Sequence, residues 1–135
     1  MQLNESITMF RKLNLFILVI LLITGCTKQG DYKNMSVEEL NQKMKSDKDL
    51  IVLDVRTEEE LRGELGKING VINIPVQELS TRLNELSNYK DKEVAVICRS
   101  GNRSRTASNI LSQNGFKKVY NVEGGMIDYR RKISK

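Results

Sequence analysis

Four short apolar runs govern what this chain can become. They are Leu50-Ile-Val-Leu53, Val71-Ile-Asn-Ile74, Glu93-Val-Ala-Val-Ile97 and Val119-Tyr-Asn-Val122, set apart by stretches with helical spacing. Runs that are nearly continuous in apolar and β-branched residues, rather than alternating, suit strands covered on both faces. Between them, Ser36 and Glu39 have capping-box spacing ahead of an apolar stripe at Val37, Leu40 and Met44, which predicts a helix. Thr57 and Glu60 repeat that spacing for a short helix. Val76, Leu79, Leu83 and Leu86 predict a helix over 76–86, and Ser104 to Gln113 form another, ended by Asn114-Gly115 in a left-handed turn. Gly124-Gly125 precedes a last helical turn or two. Strands alternating with helices predict an α/β fold: one domain with a parallel sheet and helices on both faces. In such sheets, ligands bind where strands end and helices begin.

Residues 1–25 follow a different rule. Arg11 and Lys12 precede an eleven-residue run, Leu13 to Ile23, in which only Asn14 is strongly polar. At about 1.5 Å per residue this run is too short to cross a hydrocarbon core of roughly 30 Å. A positive flank, a short apolar core and small residues at its end read as a secretory signal. Leu22-Ile-Thr-Gly-Cys26 resembles a bacterial lipobox. That resemblance implies cleavage before Cys26, acylation of Cys26, and an extracytoplasmic protein lipid-anchored to the cell membrane or envelope. Met9 is an alternative start. Residues 26–35 are polar and irregular, which predicts a tether, and residues 36–135 make the folded domain.

Charge is informative only after this division. The chain has 22 Lys and Arg against 17 Asp and Glu, a net +5; without Arg11, Lys12 and Glu5 the remainder keeps +4. A mild excess favours solubility and an anionic membrane surface. No dense basic stripe with interleaved aromatics is present, so nucleic acid is not an expected partner. The chain has no histidine and two cysteines, Cys26 and Cys98. That excludes Ser-His-Asp and Cys-His catalysis, imidazole zinc sites and a thiolate cage, so neither metal nor cofactor is expected. With Cys26 acylated, Cys98 is the domain's single cysteine and no internal disulfide forms.

Cys98 lies where the fold places chemistry. The run Val94-Ala-Val-Ile97 leads straight into Cys98-Arg-Ser-Gly-Asn-Arg-Ser104, with a helix after it. Gly101 can take backbone angles other residues avoid, and Asn102 tolerates them. Such a loop turns N–H groups inward, and the following helix adds its positive end. Arg99, Arg103 and Arg105 add three positive charges. Each effect favours thiolate over thiol, so the expected pKa is lowered without an imidazole base. A cysteine that merely packs does not call for three arginines and a polar loop.

Residues 36–132 resemble a single rhodanese-homology domain of the sulfurtransferase family. Leu53-Asp-Val-Arg56, Gly66-Lys-Ile-Asn-Gly-Val-Ile-Asn-Ile-Pro75, Cys98-Arg-Ser-Gly-Asn-Arg-Ser104 and Asn121-Val-Glu-Gly-Gly-Met126 are similar to the family's motifs and stand in its order. Lys67 replaces the usual His, and Tyr129 stands where Trp is common. The resemblance implies that Cys98 takes a sulfane sulfur from thiosulfate or a polysulfide as a persulfide and passes it to cyanide or a thiol. It implies a substrate loop of Arg99, Ser100, Gly101, Asn102, Arg103 and Ser104. Arg99 and Arg103 would bind the anionic donor, with Arg103 also holding the loop in shape. Asp54 and Arg56 would support the site as a buried pair or helix cap.

Two other readings compete. Cysteine phosphatases and arsenate-reducing enzymes use Cys-x5-Arg, a wider loop; here that position is Ser104, with arginines at 103 and 105. The other is a non-catalytic module that presents a persulfide or docks a partner at the membrane. With no second domain cysteine, turnover needs an external acceptor or thiol reductant.

Overall fold

A computed structural model describes residues 30–134; the signal segment and Cys26 lie outside them. The apolar runs form strands β2 (Ile51–Asp54), β3 (Ile72–Asn73), β4 (Glu93–Ile97) and β5 (Lys118–Val122), and Lys33–Met35 form β1. All pair in parallel in the order β1-β5-β4-β2-β3. The helices are α1 (Val37–Ser46), α2 (Glu58–Arg62), α3 (Val76–Leu79), α4 (Asn102–Gln113) and α5 (Gly125–Lys132), with a 3-10 helix at Leu83–Tyr89.

The strand period of two sorts the core into two layers. Val94 and Val96 of β4 join Leu79, Leu86, Ala107 and Leu111, from α3, the 3-10 helix and α4. Ala95 and Ile97 join Val37, Leu40 and Met126, from α1 and α5, on the other face. The sheet is therefore sandwiched, which is why its central strands carry no polar alternation. Both capping boxes form: Ser36 with Glu39 for α1, and Thr57 with Glu60 for α2.

Two expectations need correction. Residues 33–35 of the expected tether are strand β1, paired with β5 from Lys33↔Tyr120 to Met35↔Val122. Met35 is buried and Glu123 N donates to its carbonyl at 2.9 Å, so the domain begins before residue 36. The helix expected over 76–86 breaks after Leu79. There the Glu78 carbonyl accepts from Thr81 N, Arg82 N and Thr81 Oγ1, a local closure that Thr favours over helix continuation.

The chain passes from β2 to β3 in one direction along the sheet and from β4 to β5 in the other. The strand order thus reverses between β2 and β4, and the crevice at their carboxyl ends is the switch point where sheets of this kind bind ligands. Asp54 ends β2 in register with Ile97 of β4. Cys98 is next.

Candidate active site

Strand alternation sets the direction of Cys98. Two residues beyond Val96, it shares that residue's face and joins the α3/α4 layer, placing the thiol over the start of α4. The chain then turns through Gly101, at φ 102°, a value that side chains other than glycine's rarely adopt. Arg105 N donates to the Gly101 carbonyl at 3.3 Å, closing the first turn of α4. Gly101 N points back at the sulfur, 3.1 Å from Cys98 Sγ.

The loop is held from behind by α5. Met126 N donates to the Cys98 carbonyl at 2.8 Å and Ile127 N to the Arg99 carbonyl at 3.1 Å. In a trans peptide the N–H points opposite to the C=O. Drawing the Arg99 carbonyl toward α5 therefore turns the Ser100 N–H toward the sulfur. The approach is possible because Gly125 has no side chain. A Cβ there would lie 2.5 Å from the Cys98 carbonyl oxygen and 2.6 Å from that of Arg99.

Cys98 is 1% exposed. Burial pushes its thiol up, but hydrogen bonds from the Ser104 side chain and the amides of Ser104, Gly101 and Ser100 outweigh it, leaving the thiol below its ordinary value. Loop amides and one hydroxyl lead the lowering, and the Arg103 charge acts in the same direction. Arg103 donates to both carboxylate oxygens of Glu60, each at 2.7 Å, and this pair holds Glu60 down to about 2. Arg99 and Arg105 are exposed.

The six loop residues thus divide by position. Arg99, Ser100 and Asn102 face solvent, Gly101 and Ser104 are buried, and Arg103 is half-buried against Glu60. Ser104 Oγ lies 3.4 Å from Cys98 Sγ and donates to Asn121 Oδ1 at 2.7 Å. Asp54 and Arg56 form a buried ion pair at the end of β2, with Oδ2 2.7 Å from Nη2. Arg56 also donates to the Gly66 carbonyl at 2.8 Å, and Asn73 ties down the Asp54 and Arg56 carbonyls at 2.9 and 2.8 Å. The pair braces the crevice wall and is turned away from solvent.

Sequence reasoning gave Glu60, Asn121 and Gly125 no role at the site, although Asn121 and Gly125 stand in a family-like motif. Glu60 was visible only as a helix cap, and nothing local linked it to Arg103. Asn121 did carry a signal: a polar side chain inside an apolar parallel strand must find a partner. Gly125 carried one as well, since a helix that begins on glycine gives up helix propensity and invites a search for a close contact.

The rhodanese-like domain family model matches residues 36–132. The chain is 44% identical over 98 residues to a putative sulfur carrier protein, YrkF, of Bacillus subtilis, covering 73% of this chain and 51% of that protein. It is 38% identical to the putative sulfurtransferase YtwF of the same organism, covering 72% of this chain and 89% of that one. Similarity also extends to the tRNA uridine(34) hydroxylase of Cronobacter sakazakii, 34% identical over 76% of this chain and 29% of that protein. The chain therefore spans about half of YrkF and under a third of the hydroxylase. Among solved structures, a rhodanese-related protein from Thermoplasma volcanium superposes with a TM-score of 0.66 at 37% identity, covering 76% of this chain and 94% of that one. Sheet order, loop and these matches agree: the chain belongs to the rhodanese-like domain family.

Proposed function

We propose that the protein is a sulfurtransferase working through a Cys98 persulfide. The observation that carries this reading is the Gly101 amide 3.1 Å from Cys98 Sγ, in a loop whose other amides also favour a charged sulfur. Cys98 thiolate attacks the outer sulfur of thiosulfate, an S–S bond forms, the donor's S–S bond breaks and sulfite leaves with its electron pair. The persulfide keeps one negative charge, which the inward amides stabilise as they do the thiolate. Cyanide or a thiolate then attacks the terminal sulfur and releases Cys98. Polysulfides enter the same step, with a shorter polysulfide as leaving group.

Arg99 is the exposed guanidinium beside the nucleophile and meets an anionic donor. Arg103 is committed to Glu60 and shapes the loop. The names of YtwF and YrkF support sulfur as the transferred group. Intact mass after thiosulfate treatment, combined with thiocyanate formation, tests the proposal. Wild type gains one sulfur and Cys98→Ser gains none; no gain and no thiocyanate in wild type would overturn it. Mass gain without transfer to any acceptor would favour the persulfide-presenting module. Turnover of an aryl phosphate would favour the phosphatase reading, against which Ser104 stands where that chemistry needs arginine.

We also infer that Cys26 carries a lipid that holds the domain outside the cytoplasmic membrane, on the strength of the Leu22–Cys26 pattern. Cys26→Ser then moves the protein from the membrane to the soluble fraction with sulfur transfer intact. A variant that still pellets with membranes refutes the anchor.

A further inference from the structure

Cys98 is one end of a hydrogen-bonded chain that runs across the sheet to its edge. Cys98 Sγ–H donates to Ser104 Oγ (3.4 Å), Ser104 to Asn121 Oδ1 (2.7 Å), and Asn121 Nδ2 to Asn34 Oδ1 of β1 (3.0 Å). The register pairs Asn34 with Asn121 directly. Cys98, Ser104 and Asn121 are buried and Asn34 is exposed.

The chain has a direction, and ionisation of the thiol reverses it. A thiolate donates nothing, so Ser104 must turn its single hydrogen toward the sulfur. Asn121 Oδ1 would then face a hydroxyl lone pair at 2.7 Å, a buried acceptor without a donor. An amide resolves this by turning over, since its O and N ends have nearly the same shape. Asn121 then offers Nδ2 to Ser104 and Oδ1 to Asn34, which turns over in the same way. Every bond survives with its polarity inverted, only the S–H bond breaks, and its proton leaves to water.

We propose that Asn121 and Asn34 are positioning residues that let Ser104 switch from accepting to donating as Cys98 ionises, so that an edge-strand side chain governs the nucleophile. The proposal rests on Cys98 as the nucleophile but not on what it attacks. The other charged groups around it are paired or exposed. On the β2 side stand the Asp54–Arg56 and Glu60–Arg103 pairs, and Arg99 is exposed on the loop. Lys33 adjoins Asn34 in β1, and Glu39 and Lys43 of α1 and Tyr120 of β5 line a groove with it; Glu39 caps α1 and Lys43 pairs with Glu93.

The test is the rate of Cys98 alkylation by iodoacetamide against pH, with Asn34→Asp and Asn34→Lys. The carboxylate of Asn34→Asp only accepts, pins Asn121 with Nδ2 outward and opposes ionisation, so the midpoint rises. The ammonium of Asn34→Lys only donates, pins Oδ1 outward and favours ionisation, so the midpoint falls. One hydrogen bond predicts about 0.5–1 pH unit each way, roughly three- to tenfold in rate below the midpoint. Simple charge would act with the same signs, so both variants are repeated with Ser104→Ala, which cuts the chain but leaves the charges. Opposite shifts that collapse in the Ser104→Ala background establish the chain. Shifts of equal size in both backgrounds, shifts of one sign, or none overturn it. Alkylation needs no sulfur donor, so a protein that behaves this way yet transfers no sulfur refutes only the proposed function.

Discussion

Arg103 and Glu60 form a two-pronged ion pair across the crevice, both nitrogen–oxygen distances at 2.7 Å. Glu60 also closes the capping box of α2 by accepting from Thr57 N, and the Glu60 carbonyl faces Arg56 Nη1. One residue thus joins the start of α2, the active loop and the buried pair on β2. Arg103, which the sequence offers both as a donor-binding charge and as a brace for the loop, is held by Glu60 in the structure.

That pair sets an acid limit on stability. Glu60 titrates at about 2 in the fold against an ordinary 4.5, chiefly through Arg103. A carboxylate depressed in the folded state stabilises above its unfolded value, and the contribution is lost as pH falls through the folded one. The stability difference between wild type and Glu60→Gln in urea unfolding therefore narrows as pH drops from about 4.5 to about 2. A difference that stays constant over that window would show the pair to be energetically idle.

Ser104 supplies the nearest side-chain donor to a sulfur that burial alone would keep protonated. Ser104→Ala removes it and leaves only the loop amides. The midpoint of Cys98 alkylation rises and the rate at neutral pH falls about three- to tenfold, the scale of one hydrogen bond. An unchanged midpoint would assign the whole lowering to the backbone.

How much of this was legible beforehand depended on whether the signal was local. The order of strands and helices followed from apolar spacing and two capping boxes, because those patterns act within a few residues. β1 was illegible because Lys33-Asn34-Met35 holds one apolar residue, and its pairing partner lies 87 positions away. The break after Leu79 was hidden because Leu83 and Leu86 keep helical spacing while Thr81 closes the turn. At the site, Cys98 and its loop were plain, since a turn sequence after a buried strand has few other uses. The distribution of charge was not. Only the fold shows that Glu60 claims Arg103, and that loop amides and the Ser104 hydroxyl lead the lowering of the thiol.

Asp54 and Arg56 are 0% and 1% exposed, and each is the other's charge partner. Asp54→Ala leaves a buried guanidinium with only carbonyl partners. Removing one member of such a pair costs about 3–5 kcal/mol, measured as the change in denaturant unfolding free energy. A loss near zero would mean that water reaches Arg56.

Gly125 tests whether the loop's inward amides depend on α5. Its φ is 57°, and a Cβ would sit 2.5 Å from the Cys98 carbonyl oxygen and 2.6 Å from the Arg99 carbonyl carbon. These are backbone atoms, so no side chain can yield; α5 or the loop has to move. Gly125→Ala then lengthens the Met126 and Ile127 bonds to those carbonyls, and the Ser100 amide is no longer held toward the sulfur. The Cys98 alkylation midpoint rises together with a loss of stability, and Gly124→Ala makes a useful contrast. There the added Cβ meets Asp128 instead, whose carboxylate can rotate away but whose Cβ, 2.7 Å off, cannot, so α5 yields at Asp128 and not at the loop carbonyls, and φ 74° adds backbone strain. Gly125→Ala therefore moves the midpoint more than Gly124→Ala at equal loss of stability. Equal midpoints would show that the loop keeps its geometry without α5.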